Sequence, residues 1–393
     1  MKKILTCILL TVLFCQKTNA YNIYSDIQAG NLIIDKIRND TLWVRPDLRD
    51  TRGDWFYWNF AVSNANDKTL TFIFPSEKTN PNMQYLTARG PALSFDEGWT
   101  WSWIDTNTKW ERSFSYTFIS DKEVRFSMAM PYTQRNFIRF ITPYLSFKNV
   151  KLDTLAISKG NRVIDRLTLK PIKGFAKHKV LITARHHACE MMANYVLEGM
   201  IAQFLKNDWL KENVELVVIP FIDIDGVENG DQGKNRNGHD YNRDYGDSSI
   251  YVSTIALRNW IPLWADEKLT AAIDIHCPWI RYEGNEHIFA IGNRNPTIDS
   301  EIKKFCNLLM LNNKNELKVS DDIYLTNVFS TTPGVSCLKW ISTCDKNFGV
   351  KLPLAIEFPY AVNKSQTITQ QNAELFGEDI ARTLKSYLQY YKQ

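Results

Sequence analysis

The sequence predicts an N-terminal all-β sandwich followed by an α/β domain whose mixed sheet is flanked by helices. Short runs rich in aromatic and β-branched residues occupy residues 22–130, and no long helical period interrupts them. After about residue 132, apolar strands alternate with helical stretches, a pattern typical of a parallel or mixed sheet. With 393 residues, the chain is long enough for two or three domains of ordinary size.

Residues 1–20 are predicted to be a signal peptide. Lys2 and Lys3 precede an apolar run from Ile4 to Cys15, and Ala20 offers a small residue at the cleavage site. The run is shorter than the roughly 20 apolar residues that span a bilayer, so a membrane anchor is less favoured. We therefore expect an exported protein, periplasmic or extracellular, without a transmembrane segment in the mature chain.

Composition and charge argue against several classes of protein. The hydrophobic fraction of 44% and the charged fraction of 23% are ordinary for globular proteins, so a disordered or collagen-like chain is not expected. The sequence has 47 basic and 43 acidic residues, and three of the lysines lie in the predicted leader. The mature chain is therefore nearly neutral, which gives no basis for nucleic-acid binding.

Residues 21–131 are assigned to the β-sandwich domain. Strands are expected at residues 42–45, 55–62, 70–74 and 124–130, with Asn, Asp, Gly and Pro between them. This part of the sequence contains no histidine, which excludes a histidine-ligated metal within it.

Residues 132–393 are assigned to the α/β domain. Strands are expected at residues 179–184 and 214–220. Residues 191–206 repeat apolar side chains every three or four positions, which predicts one apolar face of a helix. A second helix is expected from about Thr369 to Tyr391.

The first candidate site follows the strand at 179–184, where α/β proteins commonly place their sites. His187 and Glu190 are three residues apart, so at the start of a helix both side chains can face one point. An imidazole and a carboxylate suit zinc, and a third ligand would leave one position open for water. His186 offers a competing spacing, and an ordinary surface pair is the common alternative for so short a motif.

A third ligand is expected at the end of another short apolar strand, residues 271–275. His276 follows this strand directly and would point into the same cleft. A hydrogen-bonded loop histidine is the plain alternative. Cys277 is a possible soft ligand, although Cys277 and Cys189 could instead form a disulfide.

The remaining cysteines leave the redox pattern open. Of the seven cysteines, Cys7 and Cys15 lie in the predicted leader, which leaves five. An odd number implies at least one free thiol or a pair between chains. Cys337 and Cys344 are close enough in sequence to form a disulfide, but buried thiols throughout are equally compatible with the sequence.

Two further segments carry unusual charges. Residues 218–245 form a long, polar, glycine-rich stretch that includes Arg236 and Arg243, and loops of this kind are often functional. Arginine can bind a carboxylate with two parallel hydrogen bonds.

Glu357 lies inside an apolar strand, where desolvation raises the pKa of a carboxyl group. A general base suits such a position, and a buried ion pair is the alternative.

Together, and in this order, the segments resemble the zinc carboxypeptidases. The shared pattern is Arg-x-His-x-x-Glu, then Asp-Gly-Val-x-x-Gly with Asp-x-Asn-Arg, then Asp-x-His, then a glutamate in a late strand. The upstream β-rich region, with Trp55-Phe-Tyr-Trp and Met130-Pro-Tyr-Thr-Gln, resembles the cytosolic-carboxypeptidase branch. That branch carries a β-sandwich ahead of its catalytic domain.

The resemblance implies roles for individual residues and a single zinc ion. It implies that His187, Glu190 and His276 bind zinc and that Asp240 orients His187. It implies that Glu357 is the catalytic glutamate and that Arg236 polarises the carbonyl. It also implies that Asn242 and Arg243 bind the terminal carboxylate of the substrate. An ungapped comparison places Gly233 at the usual position of that arginine. Lys339 lies in a segment similar to the family's specificity segment and would favour acidic terminal residues if it lines the pocket.

The expected function is that of an exported zinc metallocarboxypeptidase. Its substrate would be a peptide with a free C-terminal carboxylate, hydrolysed by a metal-activated water with Glu357 as general base. One alternative is a zinc amidase or deacylase acting on cell-wall stem peptides or another carboxylate-bearing amide. The other is a catalytically inactive relative that serves in binding.

Overall fold

A computed structural model describes residues 21–75, 83–104, 112–282, 284–319, 323–325, 334–343 and 348–390. The predicted leader and Cys344 lie outside these ranges. Within them, no helix combines the length and the apolar character needed to cross a membrane.

The strands of the N-terminal region form two sheets. The described strands are β1 (Asn22–Tyr24), β2 (Ile33–Arg38), β3 (Thr41–Arg45), β4 (Asn59–Ser63), β5 (Thr69–Ile73), β6 (Ala92–Ser94), β7 (Ser102–Trp103), β8 (Ser113–Thr117) and β9 (Val124–Ser127). One sheet has the order β1-β4-β9-β6-β7, and the other has the order β2-β3-β5-β8.

Aromatic rings from the two sheets contact one another. Phe60 on β4 lies 5.0 Å from Phe72 on β5, and Phe126 on β9 lies 5.5 Å from Phe114 on β8, measured between ring centroids. All four side chains are buried. Large aromatic side chains bury much apolar area each, so they account for most of this core.

The strand predicted at residues 55–62 is shorter than expected. β4 begins at Asn59, and Trp55–Trp58 precede it without strand pairing. The backbone N–H of Tyr57 donates to the Gln232 side chain (2.8 Å), and the Gln232 amide donates to the Tyr57 carbonyl (2.8 Å). The aromatic composition predicts a strand at these residues, but the side chain of Gln232 makes the hydrogen bonds that a partner strand would make.

The second region contains a mixed sheet and the helices of the structure. Its described strands are β10 (Val150–Ile157), β11 (Val163–Leu169), β12 (His178–Ala184), β13 (Val214–Ile219), β14 (Leu269–His276), β15 (Phe289–Ile291), β16 (Tyr324–Leu325), β17 (Leu352–Glu357), β18 (Val362–Asn363) and β19 (Gln366–Thr367). Its described helices are α1 (Gln134–Ile141), α2 (Met192–Lys206), α3 (Asp208–Asn213), α4 (Ile224–Asn229), α5 (Val252–Ala265), α6 (Pro296–Asn312), α7 (Cys337–Thr343) and α8 (Gln370–Tyr390).

The sheet order is β10-β11-β13-β12-β14-β17-β15-β16 among the described strands, with β18 and β19 forming a separate pair. The central strands β13, β12, β14 and β17 are parallel, whereas β11 joins β13, and β15 joins β17, in antiparallel fashion. Every residue of β14 is buried, as expected for a strand covered on both faces. The prediction of an α/β region with a mixed sheet and flanking helices is therefore confirmed.

Helices α2 and α8 pack closely because both present glycine at their contact. A Cβ atom at Gly199 would lie 1.7 Å from the carbonyl oxygen of Glu374, and one at Gly377 would lie 1.9 Å from that of Val196. Only glycine permits such an approach of two helix backbones. This contact fixes α2, the helix that follows the first candidate site.

Candidate active site

The carboxyl ends of three adjacent parallel strands, β12, β14 and β17, meet at one edge of the sheet. A cleft of about 590 Å³ opens there. Among its lining residues are His187, Lys234, Asn242, Arg243, Asp274, His276, Leu338, Lys339 and Glu357. The cleft is thus lined by six of the nine site residues that the sequence predicted, and Glu190, Asp240 and Arg236 are not among its lining residues.

The turn after β12 is held by Arg185. This residue has a left-handed backbone (φ 59°), which ends the strand and reverses the chain direction. Its buried guanidinium donates to the carbonyl oxygens of Ala188 (3.1 Å) and Tyr132 (2.8 Å) and to the side chain of Asn194 (2.9 Å). The turn therefore has one fixed shape, and α2 begins only after it.

Three potential metal ligands come together in this turn and at the end of β14. His187 Nδ1 lies 2.9 Å from Glu190 Oε1, and His276 Nδ1 lies 2.8 Å from Glu190 Oε2. One ligand atom from each of the three residues falls within 4.8 Å of the others. Two imidazoles and a carboxylate are a donor set typical of catalytic zinc, so the residues fit this metal.

Each of the two histidines has an acid behind it. Asp240 Oδ2 lies 3.5 Å from His187 Nε2, and His276 Nε2 donates to Asp274 Oδ2 at 2.7 Å. Burial opposes ionisation of both acids, but the neighbouring histidines lower the pKa of each. A carboxylate behind the ring fixes its orientation, so both Nδ1 atoms face Glu190.

His186 is a poorer ligand than His187. Its Nδ1 lies 3.0 Å from Asp274 Oδ1, and its Nε2 lies 2.8 Å from the Tyr245 hydroxyl. The ring is fully buried and does not line the cleft. His186, Asp274 and His276 form a second group with metal-ligand spacing, but both ring nitrogens of His186 are already engaged.

Glu357 lies beside His276 because the two residues are register partners on β17 and β14. Burial raises the pKa of Glu357, the charge of Glu190 raises it further, and the charges of His276 and Lys234 lower it in part. Its Oε2 atom is buried and has no hydrogen-bond partner among the described residues. A carboxyl group with a raised pKa and a free oxygen is suited to take up and deliver a proton.

Asn242 and Arg243 lie on a 3₁₀ turn, Tyr241–Arg243, that enters the cleft. Asn242 Nδ2 lies 3.3 Å from His276 Nε2, and the Asn242 side-chain oxygen accepts from the backbone N–H of Cys337 (3.4 Å). Arg243 donates from Nη1 to the Asn242 carbonyl (2.7 Å). An amide and a guanidinium therefore lie next to the candidate ligands.

The structure does not bring Arg236 into the cleft, which corrects the sequence-based expectation. Its guanidinium contacts Asp223 (2.5 Å), Asp231 (3.2 Å) and Asp50 (3.6 Å). The backbone of Arg236 forms a bridge with Thr51, and Arg236 is not among the residues that line the cleft. Arg236 neutralises buried acids and is not placed to contact a substrate.

Lys234, two residues earlier, supplies a cation to the cleft in its place. Its Nζ forms an ion pair with Glu190, and its side chain is 18% exposed. Burial opposes the charged form, but the charge of Glu190 raises the pKa of Lys234 above its usual value. The sequence pattern does not point to Lys234, because the resemblance implies an arginine and Arg236 is close by.

Lys339 lies on α7 at the cleft and is exposed. It lines the same cavity as Leu338 and Arg294. A lysine in this position can contact a side chain that enters the cleft.

The described cysteines are all free and buried: Cys189, Cys277, Cys306 and Cys337. The disulfide considered between Cys189 and Cys277 is therefore absent, and Cys337 is a thiol. Burial raises the pKa of Cys189 to about 12, so it is a poor thiolate ligand.

Residues 133–278 match the family model described as zinc carboxypeptidase. These residues thus carry a zinc carboxypeptidase domain, and they include His187, Glu190 and His276.

Within the class, curated relatives are cytosolic carboxypeptidases. Cytosolic carboxypeptidase 6 of Caenorhabditis elegans is 24% identical over 311 residues, which cover 72% of this chain and 66% of that protein. The human cytosolic carboxypeptidase 6 is 25% identical over 236 residues, which cover 54% of this chain and 46% of that protein. The chain therefore spans less than two thirds of the length of these relatives.

Solved structures match almost the whole chain. A metallo-carboxypeptidase from Burkholderia cenocepacia superimposes with a TM-score of 0.77 at 19% identity, covering 95% of this chain and all of that one. A metallo-carboxypeptidase from Pseudomonas aeruginosa, in complex with (2-guanidinoethylmercapto)succinic acid, gives a TM-score of 0.73 at 20% identity, covering 94% and 99%. At these identities the match concerns the fold.

Proposed function

We propose that this protein is a zinc metallocarboxypeptidase that hydrolyses the C-terminal bond of peptides. The observation that carries the proposal is the meeting of His187, Glu190 and His276 at a cleft that Glu357 and Arg243 also line. The donor set suits one zinc ion, a buried carboxyl group stands beside it, and a guanidinium lies within the same cavity.

His187, Glu190 and His276 would hold the ion, with Asp240 and Asp274 orienting the two rings. When bound there, zinc supplies Lewis-acid activation of the peptide carbonyl and of water.

The terminal carboxylate of the substrate pairs with Arg243, supported by the Asn242 amide. Arginine recognises a carboxylate through two parallel hydrogen bonds and stays charged at any physiological pH. Because Arg243 lies in the same cleft as the ligands, only the last residue of a chain reaches between them. This geometry favours release of a single C-terminal residue.

Glu357 accepts a proton from the attacking water and delivers it to the leaving amine. Lys234 stabilises the negative charge that develops on the carbonyl oxygen, the role that the sequence had suggested for Arg236. Lys339, at the wall of the cleft, favours an acidic side chain on the released residue.

A paired-substrate assay tests the proposal. Purified mature protein loaded with zinc is given a peptide with a free C-terminus and the same peptide with a C-terminal amide, and the products are followed by mass spectrometry. Loss of single residues from the free peptide only, abolished by a chelator and restored by zinc, is expected. Equal cleavage of both peptides would contradict the role of Arg243.

The same assay separates the alternative substrates. Defined cell-wall stem peptides are digested beside ordinary peptides of matched length. Cleavage of the stem peptides alone, or of an amide bond that is not C-terminal, would favour a zinc amidase or deacylase.

The proposal extends to export and to domain organisation. Lys2, Lys3 and the apolar run after them support removal of residues 1–20 and a periplasmic or extracellular location. The contacting aromatic rings of the two N-terminal sheets support a β-sandwich over residues 21–131, with the catalytic domain over residues 132–393. N-terminal sequencing of protein from separated cell fractions tests the first claim.

A further inference from the structure

The loop that carries Lys234 is held by residues 50–57, which belong to the N-terminal region that contains β1–β9, here called the strand-rich region. We propose that Asp50 is a positioning residue for catalysis that acts through Lys234, so that the strand-rich region forms part of the active site. The inference rests on the proposed function of Lys234 at the carbonyl oxygen.

The carboxylate of Asp50 binds the backbone directly ahead of Lys234. Its Oδ1 accepts from the N–H of Gln232 (3.0 Å), and its Oδ2 accepts from the N–H of Gly233 (2.8 Å). The Asp50 side chain is only 6% exposed. Hydrogen bonds from backbone N–H groups to a buried carboxylate are among the stronger ones, so this contact fixes two successive peptide groups.

Neighbouring residues extend the contact on both sides of Lys234. Before it, the Gln232 side chain exchanges two hydrogen bonds with the backbone of Tyr57. After it, the N–H of Arg52 donates to the carbonyl of Asn235 (3.0 Å), and Thr51 bridges with Arg236. The loop is therefore held at positions 232, 233, 235 and 236, and Lys234 lies in the middle.

The opposite face of the loop rests on the turn that carries the candidate ligands. The N–H of Cys189 donates to the Gln232 carbonyl (3.1 Å). Gly233 has φ +76°, and a Cβ atom there would lie 2.1 Å from the backbone nitrogen of Ala188. The loop thus lies between Asp50 on one side and the ligand turn on the other, with no space for a side chain at position 233.

The Lys234 side chain also meets the strand-rich region. Its Nζ lies 5.7 Å from the centroid of the Trp55 ring, and Trp55 packs against Trp279 at 5.0 Å. A free lysine samples many rotamers, and ordering it costs conformational entropy. In the folded protein the Lys234 side chain is already ordered by these contacts, so the cation is oriented before a substrate binds.

A double-mutant cycle tests the proposal. Zinc-loaded wild type, Asp50→Asn, Lys234→Met and the double variant are compared for kcat and KM. Asp50→Asn is expected to lower kcat at least about tenfold and to leave KM within about threefold, because Asn242 and Arg243 are untouched. In the Lys234→Met background the same change should have little further effect. Equal fold-losses in both backgrounds would overturn the proposal.

Asp47→Asn is the matched control. Asp47 lies three residues before Asp50 and pairs with Arg49, but its carboxylate makes no hydrogen bond to Gln232 or Gly233. Its turnover is expected to stay within about twofold of wild type. A loss equal to that of Asp50→Asn would show a general effect of charge in this segment and would contradict the positioning role.

Hydrogen exchange decides the positioning claim independently of turnover. A peptide covering residues 231–236 should exchange faster in Asp50→Asn and be unchanged in Asp47→Asn; equal exchange in all three proteins overturns the inference. If Asp50→Asn does not fold, Trp55→Leu replaces it in the cycle, since Trp55 is only partly buried. A wild type with normal exchange and bound zinc that releases no C-terminal residue would overturn the proposed function instead.

Discussion

In each of two places the protein holds a pair of buried or half-buried glutamates, and the two pairs have different surroundings. In the cleft, Glu190 and Glu357 lie among Lys234, His187 and His276. Near the contact of α2 with α8, Glu198 accepts a hydrogen bond from the Tyr132 hydroxyl, and the charge of Glu374 acts on it.

These surroundings shift the pKa values of Glu190 and Glu198 in opposite directions. Burial opposes ionisation of Glu190, but Lys234 and the two histidines hold its pKa well below the usual range. Burial raises the pKa of Glu198 to about 8, and burial together with Glu378 raises that of Glu374 to about 7. Burial therefore raises the pKa of both glutamates of the helix pair, whereas the cations around Glu190 keep that buried carboxylate charged.

The largest expected effect comes from removing the proton-accepting group of the cleft. Glu357→Gln should lower kcat by about three orders of magnitude or more and leave zinc content and KM nearly unchanged, because the amide cannot take up the proton. The matched change at the other pair, Glu198→Gln, should retain turnover. Steady-state kinetics with metal analysis check both, and an active Glu357→Gln protein would remove the proposed base.

The second-largest effect is expected from removing the cation of Lys234. Lys234→Met should lower kcat about 100-fold, the usual loss when one group that stabilises the carbonyl oxygen is deleted. Arg236→Lys keeps the charge of the acidic cluster and should remain near wild-type turnover. If Arg236→Lys loses activity and Lys234→Met does not, the sequence-based assignment of Arg236 was right after all.

The helix pair should show its neutral carboxyl groups in the pH dependence of stability. At pH 6–7 the folded protein holds the proton of Glu198, whereas the unfolded chain, with an ordinary pKa of about 4.5, has released it. The free energy of unfolding should therefore fall as pH rises from about 5 to 8, by on the order of 2 kcal/mol.

Glu198→Gln should flatten that decline, as measured by urea unfolding at several pH values. Glu212→Gln, at an exposed carboxylate paired with Lys173, is the control and should leave the slope unchanged. A wild type whose stability rises over this pH range would show that Glu198 is ionised when folded.

The smallest effect is expected at the rim of the cleft. Lys339→Glu should shift the preference for acidic over basic terminal residues several-fold, because exposed charges act weakly through solvent. Lys159→Glu, in the exposed turn between β10 and β11, carries the same charge change outside the cleft. Competition between peptide pairs measures both, and identical profiles would place the Lys339 side chain in solvent.

Much of the sheet and the meeting of the candidate ligands could be predicted from local patterns. His187 and His276 each follow an apolar strand directly, and parallel neighbouring strands bring such residues together. Residues 191–206 show the 3.6-residue period of a helix over their whole length, so α2 was found to within one residue at its start.

The exchange of Arg236 for Lys234 could not be predicted in this way. The loop that carries both side chains has a left-handed backbone at Gly233 and pairs with Thr51 at Arg236. Thr51 is far away in sequence and belongs to the other region. The conformation of Trp55–Trp58 could not be predicted either, because their composition is typical of a strand but Tyr57 pairs with the Gln232 side chain.

The pairing of His276 with Glu357 across β14 and β17 has a consequence for how this chemistry can vary. Neighbouring strands are spaced about 4.8 Å apart by their backbone hydrogen bonds, whatever side chains they carry. The distance between the His276 and Glu357 backbones is therefore set by the hydrogen bonds between β14 and β17. Surrounding loops can change length and specificity while that distance stays constant, but a shift of β17 by a single residue would point the glutamate to the opposite face.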